Sequence, residues 1–187
     1  MSDFNLRKNP LKIIIVGPQK VGKTVISNSL SDFSHTVSPD YHPTVGVRIL
    51  ELEKPYTEEQ VINIPVLKQN KLNKVKIELW DMSGDRRFES TWPAIKYGAN
   101  GVIIVLDAVN EKFEATIDEW MNNFCTDINP ENVICFSYKK DDSKGLSKVK
   151  QSHQFPSLNI AEVTNSMDSL LPNFNKFITK LLLKLQQ

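Results

Sequence analysis

From Gly17 to Thr24 the chain reads Gly-Pro-Gln-Lys-Val-Gly-Lys-Thr: a glycine, four residues, then a glycine–lysine–threonine triplet. That spacing is suited to holding phosphate. Glycines at Gly17 and Gly22 let the backbone turn so that successive N–H groups point at one spot. A helix expected from Lys23 aims its positive dipole end at the same spot. The Lys23 ammonium can neutralise terminal phosphates, and the Thr24 hydroxyl can ligate magnesium. The candidate binding set here is Gly17, Gln19, Lys20, Val21, Gly22, Lys23, Thr24 and Val25.

Two further segments can complete such a site. Trp80-Asp81-Met82-Ser83-Gly84 closes an expected strand. The Asp81 carboxylate there can hold magnesium through a water, and the Gly84 N–H can meet a terminal phosphate. An Asp-x-x-Gly tetrad alone is a strand-ending turn, and it gains meaning by following a phosphate loop. Tyr41-His42-Pro43-Thr44-Val45-Gly46 lies between the two. Thr44 can add a second hydroxyl to the metal when a third phosphate draws its segment in. The candidate metal ligands are therefore Thr24, Thr44 and Asp81. His42 has no partner carboxylate in view, and it is expected to face solvent without a catalytic role.

Short apolar runs alternating with amphipathic segments predict elements able to position these residues. Expected strands are Leu11 to Val16, Val45 to Glu53, Val75 to Trp80, Gly101 to Leu106, Asn132 to Ser137 and a weak Ser157 to Val163. Val75, Ile77 and Leu79 alternate with Lys76 and Glu78, which places their strand near a sheet edge. It is expected to pair antiparallel with Val45 to Glu53. The connection from Lys54 to Lys74 reads as long and polar, with Val61 to Leu67 as a candidate extra strand. Expected helices run from Lys23 to about Phe33, from Phe113 to Phe124 with Phe113, Ile117, Trp120, Met121 and Phe124 inward, and from near Pro172 to the end. The last presents Phe174, Phe177, Ile178, Leu181, Leu182 and Leu185 on one face, with Leu183 opposite. The expected fold is α/β: a three-layer, mostly parallel six-stranded sheet with one antiparallel edge strand.

The 187 residues fit one domain, with 1–10 as a polar N-terminal extension. Hydrophobic residues are 40%, charged residues 24% and the formal net charge is +1. No overall field then draws nucleic acid or an anionic membrane, and phosphate binding must come from a local site. Cys125 and Cys135 show no metal-site spacing. No apolar run is long enough to span a bilayer. The last residues, Leu185-Gln186-Gln187, offer no cysteine for prenylation, so no lipid anchor is expected there. Cytosolic or nuclear residence is the corresponding expectation.

The chain resembles the P-loop small GTPases, and within them the Rab-like small GTPases of the intraflagellar transport B complex. Trp80-Asp81-Met82-Ser83-Gly84-Asp85-Arg86-Arg87-Phe88 and Tyr97-Gly98-Ala99-Asn100-Gly101-Val102 are similar to Rab segments. Gly22-Lys23-Thr24-Val25, Pro43-Thr44-Val45-Gly46-Val47-Arg48-Ile49-Leu50-Glu51 and Phe88-Glu89-Ser90-Thr91-Trp92-Pro93-Ala94 carry the narrower likeness. The resemblance covers about Leu11 to Leu185. It implies binding of GTP or GDP with Mg²⁺ and docking to coiled-coil subunits of that complex. It also implies a place in the cytoplasm and the cilium or flagellum.

Three departures bear on mechanism. Asp85 stands where the family places a glutamine that orients the attacking water. Gln19 fills a loop position where small residues leave room for that water. Base recognition is irregular: Tyr138-Lys139-Lys140-Asp141 replaces Asn-Lys-x-Asp. Asp141 can accept from guanine N1 and N2 hydrogens and the Lys139 stem can cover the ring, but Tyr138 lacks an amide's paired donor and acceptor. Another register uses Lys140 and Asp142, and the bland alternative is an exposed polar loop. A Ser-Ala-Lys-type loop is faint at Thr164-Asn165-Ser166. Phe88, Trp92, Pro93 and Ile95 form either a docking surface or packing beneath the switch, with Phe88 expected to be the more internal aromatic. The basic run around Lys144, Lys148 and Lys150 reads as a solvated loop. Two functions compete: an adaptor whose nucleotide stabilises a docking surface with very slow or absent hydrolysis, and a switch that hydrolyses GTP with a partner's help. A P-loop kinase would need an arginine-rich lid segment that is absent here.

Overall fold

The computed structural model describes residues 6–7, 9–31, 42–140, 148–164 and 166–185. Its strands are β1 (Leu11–Val16), β2 (Val47–Pro55), β3 (Lys74–Met82), β4 (Gly101–Asp107), β5 (Val133–Tyr138) and β6 (Asn159–Val163). They form one sheet in the order β2-β3-β1-β4-β5-β6. β2 runs antiparallel to β3 at the edge, and every other pairing is parallel. The expected architecture is therefore present, with β3 next to the edge.

Helices cover both faces: α1 (Lys23–Leu30), α2 (Glu58–Asn63), α3 (Pro65–Asn70), α4 (Trp92–Lys96), α5 (Phe113–Phe124) and α6 (Met167–Lys184). Strand alternation divides the core in two. Leu11, Ile13 and Ile15 of β1 join Ile26, Leu67, Phe174 and Ile178 on one face. Ile14 and Val16 join Trp92, Ile117, Trp120 and Phe124 on the other. Central strands burying both faces end together at one rim, where parallel sheets offer their ligand crevice. Leu6, within the stretch read as polar, is 6% exposed and packs on the α1 and α6 side.

Several boundaries differ from expectation for local reasons. The candidate strand from Val61 to Leu67 is helical. Thr57 and Gln60 form a reciprocal capping box with bonds of 3.0 and 3.3 Å, and Pro65 opens α3. The last helix begins at Met167, where the Ser166 hydroxyl caps the Asp168 N–H at 3.2 Å. Pro172 lies inside that helix on its exposed side. Leu183 is exposed as expected, at 46%. β2 and β3 are offset or longer than their apolar runs, because pairing from Val47 opposite Met82 to Pro55 opposite Lys74 defines them. α1 ends at Leu30; Phe33 and residues 34–41 lie outside the described residues.

Candidate nucleotide and metal site

β1 delivers the chain into a loop that tolerates only glycine at two points. A Cβ on Gly17, at φ 140°, would lie 2.1 Å from the Val105 carbonyl oxygen. One on Gly22, at φ 101°, would lie 2.4 Å from the Tyr138 ring. Lys20 between them also takes a left-handed φ of 63°. Gly22 immediately precedes α1, whose first backbone bond runs from Ile26 N to Gly22 O at 3.0 Å. The N–H groups of Lys23, Thr24 and Val25 precede that bond, and no side chain caps this helix end among the described residues. They point outward from the helix start, toward an anion. Gln19 and Lys20 are exposed, Val25 is half-buried and Val21 is buried beneath the loop.

Lys23 folds back under the loop. Its Nζ donates to the carbonyls of Gly17 at 2.9 Å and Pro18 at 2.6 Å. Only 6% of the residue is exposed. Burial pushes its pKa down to about 8, with Asp81 pulling the other way. Phosphate oxygens placed there would stabilise the charged form. Gly84 comes close on the far side of the same loop: a Cβ there would lie 2.5 Å from Gln19 N and 2.6 Å from Gly17 O.

Three separate segments meet at Asp81. Thr24 Oγ1 donates to Asp81 Oδ2 at 2.8 Å and lies 2.9 Å from Thr44 Oγ1. Asp81 is 0% exposed. Desolvation raises its pKa against the lowering effects of Thr24, Arg48, Lys23 and Thr44. Its Oδ1 has no hydrogen-bond partner among the described residues. A buried carboxylate with an unsatisfied oxygen, beside two hydroxyls, fits a small hard cation taking oxygen ligands, as Mg²⁺ does. No cluster of three or more His, Cys, Asp or Glu side chains occurs among the described residues. A metal at this point would draw its remaining ligands from water and phosphate.

The base side is built differently. β5 ends at Tyr138, which is 3% exposed, with its ring against Gly22. Desolvation raises its phenol pKa. The ring packs against the phosphate loop at Gly22. Lys139 is half-buried, and its N–H donates to the Val163 carbonyl at 2.9 Å. Lys140 is the lysine that crosses to the phosphate loop. Its Nζ donates to the Lys20 carbonyl and lies 3.5 Å from Asp107 Oδ2. Lys140 is the lysine of the second register, and Lys139 that of the first. Asp141 and Asp142, the base acceptors of the two registers, lie outside the described residues, as does Asn165. Neighbouring Thr164 accepts from the Ser166 N–H at 3.1 Å.

A family profile described as "Ras of Complex, Roc, domain of DAPkinase" matches residues 12–142. The chain belongs to the Roc family. Among its relatives, the intraflagellar transport protein 22 homolog of Xenopus tropicalis is 41% identical over 134 residues, 71% of this chain and 66% of that protein. The homolog of Danio rerio is 29% identical over 183 residues, 95% of this chain and 92% of that protein. The matched stretch spans only 61% of the Homo sapiens homolog. The GTP-bound crystal structure of T. brucei IFT22/74/81 is similar in fold, with a TM-score of 0.72 at 21% identity over 93% of this chain and 95% of that one. GTP-bound T. brucei IFT22 aligns at a TM-score of 0.65, again at 21% identity, over 93% and 96% of the two chains. The likeness drawn from the sequence motifs agrees with these names.

In this Roc domain the Asp85 carboxylate is engaged by a neighbouring guanidinium. Asp85 Oδ1 accepts from the Arg87 N–H at 2.9 Å, and its Oδ2 accepts from Arg87 Nε at 2.9 Å and Nη2 at 2.6 Å. The Arg87 side chain is the first cause holding the Asp85 carboxyl below its ordinary pKa, and a hydrogen bond from Gln19 adds to it. The expectation about aromatics is corrected. Trp92, not Phe88, is internal: it is 4% exposed, with ring centroids 5.4 Å from Trp120 and 4.7 Å from Phe124. Phe88 is half-buried and Pro93 exposed. Trp92 opens α4 and faces α5, so it is spent on packing. His42 is exposed, as expected. Sequence reasoning missed Arg48, Asn28 and Asp107 in this Roc domain. Only the pairing of Arg48 opposite Asp81 across β2 and β3 brings the first to the site.

Proposed function

We propose that this chain is a single-domain GTP- or GDP-binding subunit of the intraflagellar transport B complex. In this reading it acts in cilium or flagellum assembly by docking to coiled-coil transport subunits, with very slow or no intrinsic hydrolysis. The observation that carries the nucleotide reading is the meeting of Thr24, Thr44 and the buried Asp81 beside the buried ammonium of Lys23. Thr24 and Thr44 would ligate Mg²⁺, with Asp81 acting through a water. Bound there, the ion would bridge and neutralise phosphate oxygens. The N–H groups from Gln19 to Val25 would bind the phosphates and Gly84 would meet the terminal one. Lys140, with Asp141 or Asp142, would hold the base.

The adaptor reading draws support from the Asp85–Arg87 pair. A carboxylate engaged with a neighbouring guanidinium does not orient water. The docking reading draws support from the side of the β2–β3 hairpin where Ile49 is 48% exposed and Glu51 and Glu53 face solvent. Val45, 77% exposed, continues that surface toward the site. Relatives named for intraflagellar transport, and the T. brucei IFT22/74/81 assembly, indicate the partner class. No helix among the described residues is long and apolar enough to cross a membrane.

The test is nucleotide retention after desalting in Mg²⁺, followed by competition between GTP, GDP and ATP. Retained guanine nucleotide is expected; failure to retain any purine nucleotide overturns the reading. Single-turnover assays with GTP should show hydrolysis far slower than that of an arginine-assisted GTPase. Equal, tight affinity of a coiled-coil transport pair for the GTP and GDP forms supports the adaptor, and a large GTP preference supports the switch.

A further inference from the structure

Arg48 is the one cation that the edge strand sends into the metal side of the site. It lies directly opposite Asp81 in the β2–β3 ladder, so both side chains leave the sheet on the same face. Its Nη2 donates to Asn28 Oδ1 of α1 at 2.5 Å and lies 3.5 Å from Asp81 Oδ2. That oxygen also receives the Thr24 hydroxyl. Among the described residues the Arg48 Nε is buried without a partner, while 38% of the side chain remains exposed. The guanidinium thus ties β2, β3 and α1 together at a fully buried carboxylate.

Such a carboxylate needs positive charge nearby. A divalent ion at Thr24 and Thr44 would supply it, and Arg48 approaches the same carboxylate from the strand side. We propose that Arg48 is a positioning residue of the metal site that holds the Asp81 carboxylate and partly replaces Mg²⁺ in balancing its charge. Nucleotide retention would then depend less on Mg²⁺ than a carboxylate without this partner would allow. The proposal rests on the nucleotide-binding reading above. It concerns how steeply binding falls when the metal is withdrawn.

The experiment measures release of a fluorescent GDP from the full chain in saturating Mg²⁺ and in EDTA, for the wild type, Arg48→Gln and Arg48→Lys. For Arg48→Gln, release in EDTA should quicken about tenfold relative to the wild type, the size of one charge-assisted contact. In Mg²⁺ it should change by less than about threefold, as expected when the ion supplies the charge. Arg48→Lys keeps the charge and should stay near the wild type in EDTA. In the metal-free, nucleotide-free protein, Arg48→Gln should lower Tm by roughly 2–4 °C, and Mg²⁺ with GDP should close that gap. Equal acceleration in both solutions marks a purely structural role and overturns the proposal. So does an unchanged Arg48→Gln, or an Arg48→Lys as fast as Arg48→Gln in EDTA. If Arg48→Gln does not fold, the lysine variant and the wild-type EDTA response decide: a lysine variant that loses GDP tenfold faster in EDTA overturns the proposal. A wild type that retains no GDP even in saturating Mg²⁺ sinks the nucleotide reading itself, a result distinct from all of these.

Discussion

The phosphate loop and the segment after β5 meet in space through Gly22 and Tyr138, yet they are held by different means. On the phosphate side, glycine backbone, a buried lysine and a helix start are consecutive in sequence. They follow directly on a strand buried on both faces. On the base side, the Tyr138 ring packs on Gly22 and Lys140 reaches back to the Lys20 carbonyl. The first is a grip made of main chain and one charge, and the second is a brace made of packing. Phosphate affinity can therefore survive substitutions that weaken guanine discrimination.

The contrast can be broken most sharply at Lys23. Replacing it by Ala should weaken GDP binding about a hundredfold, the worth of two charge-assisted hydrogen bonds, as read by equilibrium titration. An effect within a few fold would mean that the main chain alone holds the phosphates. The same lysine gives a pH signature in the nucleotide-free protein. Its folded pKa is lowered to about 8 from 10.5 by burial. Above about pH 8 the unfolded chain therefore binds the extra proton, and this group's contribution to stability rises with pH. A Lys23→Met variant should start more stable than the wild type at neutral pH. Its advantage should shrink by about 2 kcal/mol between about pH 8 and 9.5 in urea unfolding. An advantage constant with pH contradicts the depressed pKa.

At the junction of the two sides, Gly22→Ala should destabilise by about 1.5 kcal/mol through its left-handed φ and the Tyr138 ring. Combined with Tyr138→Ala, the loss should be less than the sum, and strict additivity would show that the ring and the loop are independent. At the terminal phosphate, Asp85→Gln alone should raise single-turnover hydrolysis by less than about tenfold. The double variant with Gln19→Gly should exceed it, because glycine leaves room for the attacking water. The smallest effect is expected on the base side. Lys140→Ala should speed GDP release about threefold, as a partly exposed ion pair allows, and Lys139→Ala less. A reversed order would return the ring-covering role to Lys139.

Sequence alone was sufficient where function rests on consecutive residues. The loop from Gly17 to Thr24 reads directly, because its strand, glycines and helix start are adjacent in the chain. The inward face of α5 was also legible, since Phe113, Ile117, Trp120, Met121 and Phe124 follow helical spacing and all are buried. Reading failed where local chemistry overrode an apolar run, as the Thr57 capping box did in making Val61 to Leu67 helical. It failed again where exposure depended on a neighbour, as with Trp92 against Trp120 and Phe124.

What the amino-acid order made legible by itself is the candidate phosphate loop, because a backbone nest and a helix dipole are properties of one short segment. What only the tertiary structure decided is which distant side chains complete it. Arg48 meets Asp81 through strand register, Lys140 reaches the Lys20 carbonyl of the loop, and the Tyr138 ring packs against Gly22. Each depends on elements far apart in sequence arriving at one rim of the sheet, and the register that aligns them is fixed by burial across the whole core.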